Sequence, residues 1–249
     1  MNDTLPLREL PREKTIDVWR IQLDSPLNSA VNLDDVLSVE ERNRSNRYVF
    51  ARDAFRFRMC RALLRLGIAW YLKKNPGEVA LTTGEHGKPR LIDSAGLYFN
   101  VTHAQELGLI AFTTMGEVGL DVEPVRHDIE ALDIASANFT GNESAQIAAA
   151  GTQQEQLRMF LRLWTRKEAV LKAAGFGIVR GLDTVDVTQQ SANLMGLKGS
   201  YGGDATSCWL VRDLELPEGF VGAIAAPRGD WLIRQWPIRA EETINRLLA

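Results

Sequence analysis

Cysteine, histidine and long apolar runs are all scarce in this chain of 249 residues, which has two cysteines and three histidines. Cys60 and Cys208 stand alone without a C-x-x-C pair, so a disulfide framework or a cysteine zinc site is disfavoured. No segment approaches the roughly 18 apolar residues that a membrane helix needs, and residues 1–14 lack the apolar core of a signal peptide. We therefore expect a cytoplasmic protein that is not bound to a membrane.

Excess positive charge is also lacking, because the formal net charge is −3 at pH 7. A globally basic nucleic-acid binder is thereby excluded. Arginine is nevertheless concentrated between residues 42 and 65, where eight arginines accompany a single acid, Asp53. Guanidinium groups without lysine favour the recognition of phosphate or carboxylate. The alternative is a solvated helix face on which arginine stems cover apolar surface.

The apolar content of 45% allows a large core, either in one domain or in two of about 120 residues each. Apolar spacing predicts long helices over residues 51–72 and 152–174, the second ended by Gly175 and Gly177. Capping boxes predict helix starts at Ser38, Thr140 and Thr152. Strands are predicted over residues 16–23, 79–81, 97–102, 107–113, 117–123, 183–188, 207–214, 220–226 and 231–236. The close spacing of the third, fourth and fifth strands predicts an antiparallel meander.

One predicted strand carries two carboxylates with a single residue between them, in the sequence VGLDVE at 118–123. Alternate residues of a strand share a face, so Asp121 and Glu123 should project together, away from the face on which Leu120 and Val122 pack. Two hard oxygen ligands side by side suit Mg²⁺. The alternative is an amphipathic edge strand with one face in water.

A third carboxylate, Glu168, falls on the apolar stripe of the helix over 152–174. A carboxylate on a core-facing stripe is costly unless it is paired or binds a metal. Lys172 shares its face four residues later, so an ion pair within the helix is the alternative to a functional site.

His103 ends a predicted strand behind the hydroxyl of Thr102. Its place on the same meander as Asp121 and Glu123 favours a shared site, and a purely structural histidine is the alternative. The polar loop at 84–89 holds two glycines and a lysine, which can bring backbone and ammonium close to a ligand, although such a loop is also typical of a simple hairpin.

Four segments follow one another in the order and approximate spacing of the 4'-phosphopantetheinyl transferases of the large, Sfp-type class, which this chain resembles. They are GKP at 87–89, FNVTH at 99–103, GLDVE at 119–123 and WTRKEAVLKA at 164–173. A further segment, YVFARDA at 48–54, resembles the upstream basic helix of that family.

The resemblance implies an α+β fold of two similar α/β halves related by a pseudo-twofold axis, each with a small, mostly antiparallel sheet packed on helices. We expect an N-terminal extension at 1–14, an N-terminal half at 15–115 with coenzyme A contacts, and a C-terminal half at 116–249 with a metal site. The implied reaction moves the phosphopantetheine arm of coenzyme A to a serine of an apo acyl or peptidyl carrier protein, with Mg²⁺ and release of 3',5'-ADP.

The resemblance also implies roles for particular residues. Asp121, Glu123 and Glu168 would hold Mg²⁺, and Glu168 would also be a candidate base, directly or through a metal-bound water. Lys172 would contact the pyrophosphate, and Glu143 lies where some members carry another proposed base. The expected catalytic residues are Glu168, Lys172 and His103.

The resemblance implies that five residues bind coenzyme A in addition to Lys172. His103 and Thr102 would bind phosphate oxygens. Lys88 and Pro89 would flank the adenine. Arg52 would bind the 3'-phosphate.

The implied carrier proteins are acidic helical bundles, so an enzyme of net charge −3 must offer them a local basic or apolar surface. The resemblance places this docking surface at 139–160, and the alternative is that the apolar residues there belong to the core. We expect a monomer. A metal-dependent phosphatase or nuclease, which would also use clustered carboxylates, and a non-catalytic carrier-binding module are the competing functions.

Overall fold

The computed structural model describes residues 6, 8–27, 31–84, 86–176, 181–189, 191–193 and 208–248. Their contacts group them into two compact units. Unit 1 takes the described residues of 1–82, 90–114 and 231–249, and unit 2 takes those of 83–89 and 115–230. The sequence-based division assigns 231–249 to the C-terminal half, whereas in the structure these residues pack with unit 1.

Strands and helices follow one another in groups along the described chain. The strands are β1 Thr15–Gln22, β2 Leu81–Thr83, β3 Pro89–Leu91, β4 Tyr98–Ala104, β5 Leu107–Thr113, β6 Gly119–Pro124, β7 Ser191–Asn193, β8 Cys208–Asp213, β9 Phe220–Pro227 and β10 Leu232–Ile238. The α-helices are α1 Val39–Ser45, α2 Ala51–Leu72, α3 Ala131–Asn138, α4 Gly141–Ala148, α5 Gln153–Ala174 and α6 Ala240–Leu248. Within the described ranges, none of these helices is both long enough and apolar enough to cross a bilayer.

Unit 1 is built on a sheet of order β10-β1-β5-β4, in which β1, β5 and β4 run antiparallel in turn and β10 lies parallel to β1. Helix α2 packs its apolar side chains on this sheet. Trp19, Tyr71 and Phe112 meet there with ring centroids 4.9 to 6.2 Å apart, which places the largest aromatic groups at the centre of the core.

A buried carboxylate ties β10 to the rest of unit 1. Asp17 of β1 is fully buried, and its oxygens accept hydrogen bonds from the Arg234 guanidinium at 2.7 and 2.9 Å and from Trp236 Nε1 at 3.1 Å. The Tyr71 hydroxyl of α2 donates a further bond at 2.9 Å. Four donors satisfy a charge that would otherwise be costly to bury, and two of the donating residues come from β10.

Unit 2 is built on an antiparallel sheet of order β6-β9-β8-β7, against which α5 packs. Phe139 and Phe160 stack with centroids 5.3 Å apart and join α5 to the segment after α3. Each unit thus combines a four-stranded sheet with a 22-residue helix. The predicted α+β class, with small and mostly antiparallel sheets packed on helices, is confirmed.

The helix starts that the sequence predicts are confirmed in detail. Ser38, Thr140 and Thr152 each close a complete capping box, and α2 has the predicted bounds. Helix α5 ends at Gly175, whose φ of +77° is the left-handed conformation that glycine adopts readily. The predicted second stop at Gly177 lies outside the described residues.

Two strand predictions are wrong. The meander does not form, because β6 leaves β4 and β5 and pairs with β9 in the sheet of unit 2. Residues 183–188 are not a strand either, since a 3-10 helix, Leu182–Thr184, occupies the start of this segment. The backbone carbonyls of Leu182 and Val185 accept hydrogen bonds from the buried Lys167.

Candidate active site

The two acids of β6 lie on the face of the strand that meets α5. Gly119, Asp121 and Glu123 share this face, and a Cβ placed on Gly119 would lie 2.0 Å from the Ala169 carbonyl oxygen of α5. Asp121 is accordingly buried and Glu123 is half-buried. Strand β6 lies at the edge of its sheet, as the alternative predicts, but its acidic side packs against α5 and is not open to water.

Helix α5 brings a third acid and a cation to the same place. Lys172 Nζ donates to Asp121 Oδ1 at 2.6 Å, so the lysine of α5 makes an ion pair with the strand. Glu168 is 3% exposed, and its Oε1 atom accepts no hydrogen bond from the part of the chain that the structure describes. An acceptor buried in this way is costly unless a ligand satisfies it.

Burial and, after it, mutual repulsion raise the pKa values of Glu168 and Glu123. Burial, together with the negative charges of Asp121 and Glu123, raises the pKa of Glu168 to about 7, although Lys172 opposes the shift. The pKa of Glu123 is also raised, first by burial and then by Asp121. A cation among them would relieve both effects.

Among the described residues, no three His, Cys, Asp or Glu side chains already stand together as a metal shell. The donor chemistry nevertheless suits a hard divalent ion, because Asp121, Glu123 and Glu168 offer only carboxylate oxygens. Glu168 Oε1 is a buried oxygen that such an ion could satisfy.

Glu143, a further candidate base, is occupied by structural contacts. It is fully buried, and its carboxylate pairs with the equally buried Lys167 at 2.5 Å. The Val187 N–H donates to Glu143 Oε1 at 2.9 Å, and Thr140 caps helix α4 through the same side chain. Lys167 also donates to the carbonyls of Leu182 and Val185. This arrangement holds residues 182–187 to α4 and α5 and leaves Glu143 with no exposed surface.

The coenzyme A residues expected in unit 1 lie on its surface or near it. Thr102 and His103 are on β4, Thr102 buried and His103 exposed. Arg52 is in the first turn of α2 with its side chain 71% exposed, and its Nε lies 4.0 Å from Asp53 Oδ1. Because β6 is not in the sheet of β4, the meander gives no reason to group His103 with Asp121.

Most of the clustered arginines have internal partners. Five of the eight bind acids or carbonyls of unit 1: Arg42 binds the carbonyls of Asp34 and Leu37, Arg56 binds Asp24, Arg58 binds Asp34, and Arg61 and Arg65 bind Glu41. Arg44, Arg47 and Arg52 remain exposed. The surface available to an external anion is thus narrower than the sequence predicts.

The segment at 139–160 contributes its large apolar side chains to the core. Phe139, Ile147, Leu157 and Phe160 are all buried in unit 2. These apolar residues therefore belong to the core, as the alternative predicts. A carrier protein that docks on this segment would contact the polar residues between them.

The sequence alone did not identify the close packing at Gly119 or the ion pairs of Glu117 and Lys167. Glycine within an apolar strand is a signal of close backbone approach, which would have identified Gly119. The partners of Lys167 and Glu117 are distant in sequence, so no local pattern indicates them.

Comparison with known proteins gives consistent matches along the chain. A model of the 4'-phosphopantetheinyl transferase superfamily matches residues 117–225, and a model of the N-terminal part of 4'-phosphopantetheinyl transferase matches residues 25–115. The chain is 31% identical over 224 residues to the 4'-phosphopantetheinyl transferase HetI of Nostoc sp., which covers 89% of this chain and 91% of HetI. It is 26% identical over 216 residues to the 4'-phosphopantetheinyl transferase Sfp of Bacillus subtilis, covering 86% and 93% of the two chains. The chain therefore belongs to the 4'-phosphopantetheinyl transferase superfamily and is an enzyme of that class.

Proposed function

We propose that this enzyme transfers the 4'-phosphopantetheine arm of coenzyme A to a serine of an apo acyl or peptidyl carrier protein, with Mg²⁺ and release of 3',5'-ADP. The observation that carries the proposal is the meeting of β6 with α5, where Lys172 pairs with Asp121 and the charges of Asp121, Glu123 and Lys172 all act on the buried Glu168. Family membership supports the class of reaction, and the acids support its dependence on a metal.

Asp121, Glu123 and Glu168 would hold the ion. Their carboxylates are hard ligands, and Glu168 Oε1 accepts no hydrogen bond from the described residues. When bound, Mg²⁺ would neutralise negative charge on the pyrophosphate of coenzyme A.

Residues of the chain would accept the proton of the serine hydroxyl and stabilise part of the negative charge that develops on the pyrophosphate. The serine Oγ attacks the β-phosphorus, the bond from that phosphorus to the bridging oxygen breaks, and its electron pair leaves with 3',5'-ADP. The hydroxyl proton would pass to the Glu168 carboxylate, which is buried and whose Oε1 atom accepts no hydrogen bond from the described residues. The Lys172 ammonium would stabilise the negative charge that grows on the pyrophosphate oxygens.

Coenzyme A would also contact the other matching motifs. Thr102 and His103 would bind phosphate oxygens, Arg52 the 3'-phosphate, and the Lys88–Pro89 backbone would flank the adenine. The exposure of His103 and Arg52 is consistent with these roles. We also propose that the enzyme is a monomer. A cytoplasmic location is proposed as well, because the free, buried thiol of Cys60 is typical of a reducing compartment.

Mass spectrometry of carrier proteins tests the proposal. The enzyme, coenzyme A and Mg²⁺ incubated with a panel of apo carriers should add the mass of the arm to at least one carrier and produce an equal amount of 3',5'-ADP. A chelator should abolish the gain and added Mg²⁺ should restore it. Glu168→Gln should lower the rate by about 100-fold or more, whereas Asp133→Asn, at an exposed acid of α3, should not.

Two results would refute the proposal. Release of phosphate from coenzyme A without a carrier would indicate a phosphatase. A carrier that binds but never gains mass, across the whole panel, would indicate a non-catalytic module.

A further inference from the structure

The described residues of the loop at 84–89 are part of unit 2, although the chain up to Thr82 and from Arg90 belongs to unit 1. Two backbone hydrogen bonds of 2.9 Å close the loop, from the Gly84 N–H to the Lys88 carbonyl and from the Gly87 N–H to the Gly84 carbonyl. Gly87 has a φ of +78°, which a glycine permits without strain. Lys88 is therefore presented from a fixed turn.

The Lys88 side chain points into protein and not into solvent. Its side chain is 9% exposed, and Nζ donates to Glu117 Oε2 at 2.7 Å and to the Val118 carbonyl at 3.0 Å. A largely buried ammonium that makes an ion pair and a carbonyl bond holds its partners more strongly than an exposed pair does. These partners are the two residues directly before β6.

Strand β6 depends on this entry point because its acids must meet α5. Gly119 is the next residue after Val118, and its backbone lies in close contact with the Ala169 carbonyl of α5. Displacement of Val118 would therefore shift Asp121 and Glu123 relative to Glu168 and Lys172. Catalytic groups that move by about 1 Å can lose about 100-fold in rate.

We infer that Lys88 is a positioning residue, whose ammonium fixes the start of β6 through Glu117 and the Val118 carbonyl and so sets the place of Asp121 and Glu123. The inference rests on the proposed function for its kinetic consequence. It differs from a direct contact between the ammonium and coenzyme A, which would leave Glu117 without a role.

A double-mutant cycle separates these two roles. Lys88→Met should lower kcat by about 10- to 100-fold while the Kd for coenzyme A, measured by calorimetry, changes by less than about twofold. Glu117→Gln should shift kcat in the same direction, and the double variant should be no slower than Lys88→Met alone, because both changes break one contact. Lys74→Met is the matched control, since Lys74 is 39% exposed and lies 3.9 Å from Asp93.

Hydrogen–deuterium exchange tests the positioning without any turnover. The peptide over 118–124 should exchange faster in Lys88→Met and in Glu117→Gln than in wild type, and at the wild-type rate in Lys74→Met. Unchanged exchange, additive kinetic effects or a Kd for coenzyme A weakened tenfold with kcat preserved would each overturn the inference. A wild-type enzyme that modifies no carrier would refute the proposed function, while the exchange result would still decide whether Lys88 holds β6.

Discussion

Gly119→Ala should damage both stability and turnover, because the new methyl group has no room. Its Cβ would lie 2.0 Å from the Ala169 carbonyl oxygen and 2.4 Å from the Ala173 nitrogen, both backbone atoms of a buried helix. To reach an ordinary contact of 3.4 Å, α5 would have to retreat from β6 by about 1.4 Å. Overpacking of this kind costs about 1 to 3 kcal/mol of unfolding free energy. The same movement separates Asp121 from Lys172, so the rate should fall by about 100-fold.

Chemical denaturation and the carrier assay measure the two effects on one protein preparation. Gly141→Ala is the matched control in unit 2, because a Cβ there meets nothing within 4 Å. Alanine at that first residue of α4 should leave turnover unchanged and should raise stability slightly, by up to about 1 kcal/mol. A Gly119→Ala protein with the stability and rate of wild type would refute the packing described between β6 and α5.

Three further predictions concern buried groups elsewhere. Glu143→Gln should lower the unfolding free energy in urea by about 3 to 5 kcal/mol, because Lys167 loses its carboxylate partner. The double variant with Lys167→Met should lose less than the sum of the two single losses, and additive losses would contradict the buried pair. Burial raises the pKa of Glu41, but Arg61 and other donors outweigh it, so the folded-state pKa is lowered. The stability that Glu41 contributes is therefore present at neutral pH and is lost as the pH falls through that pKa. The unfolding free energy of wild type should exceed that of Glu41→Gln at neutral pH, and this difference should shrink below about pH 4. A difference that is undiminished at pH 3 would contradict the lowered pKa. Burial raises the pKa of the Cys60 thiol to about 12, so thiol labelling mapped to Cys60 should be slow until the protein unfolds, and rapid labelling of the native state would contradict its burial.

Local sequence patterns predicted the features that local interactions determine. The capping boxes at Ser38, Thr140 and Thr152 are complete within four residues, and each is present in the structure. The shared face of Asp121 and Glu123 likewise follows from the alternation of a strand. The burial of Glu168 was expected from its place on the apolar stripe of α5, and it is confirmed.

Features that depend on distant partners were not predicted. Nothing near β6 in sequence indicates that it pairs with β9, about 100 residues later, in place of β5. The parallel pairing of β10 with β1 depends on Asp17, whose donors Arg234 and Trp236 lie more than 200 residues away. The arginine cluster was interpreted as an anion site because the acids that bind four of its members lie outside it in sequence or, like Glu41, at its edge.

The central claim is that Asp121, Glu123 and Glu168 bind one divalent ion that coenzyme A also contacts. A crystal structure of the enzyme with coenzyme A and Mn²⁺ in place of Mg²⁺, with the ion located by its anomalous scattering, tests this most directly. We predict one ion bonded to carboxylate oxygens of all three residues and to the pyrophosphate. An ion held without Glu168, or at any other group of residues, would contradict the account.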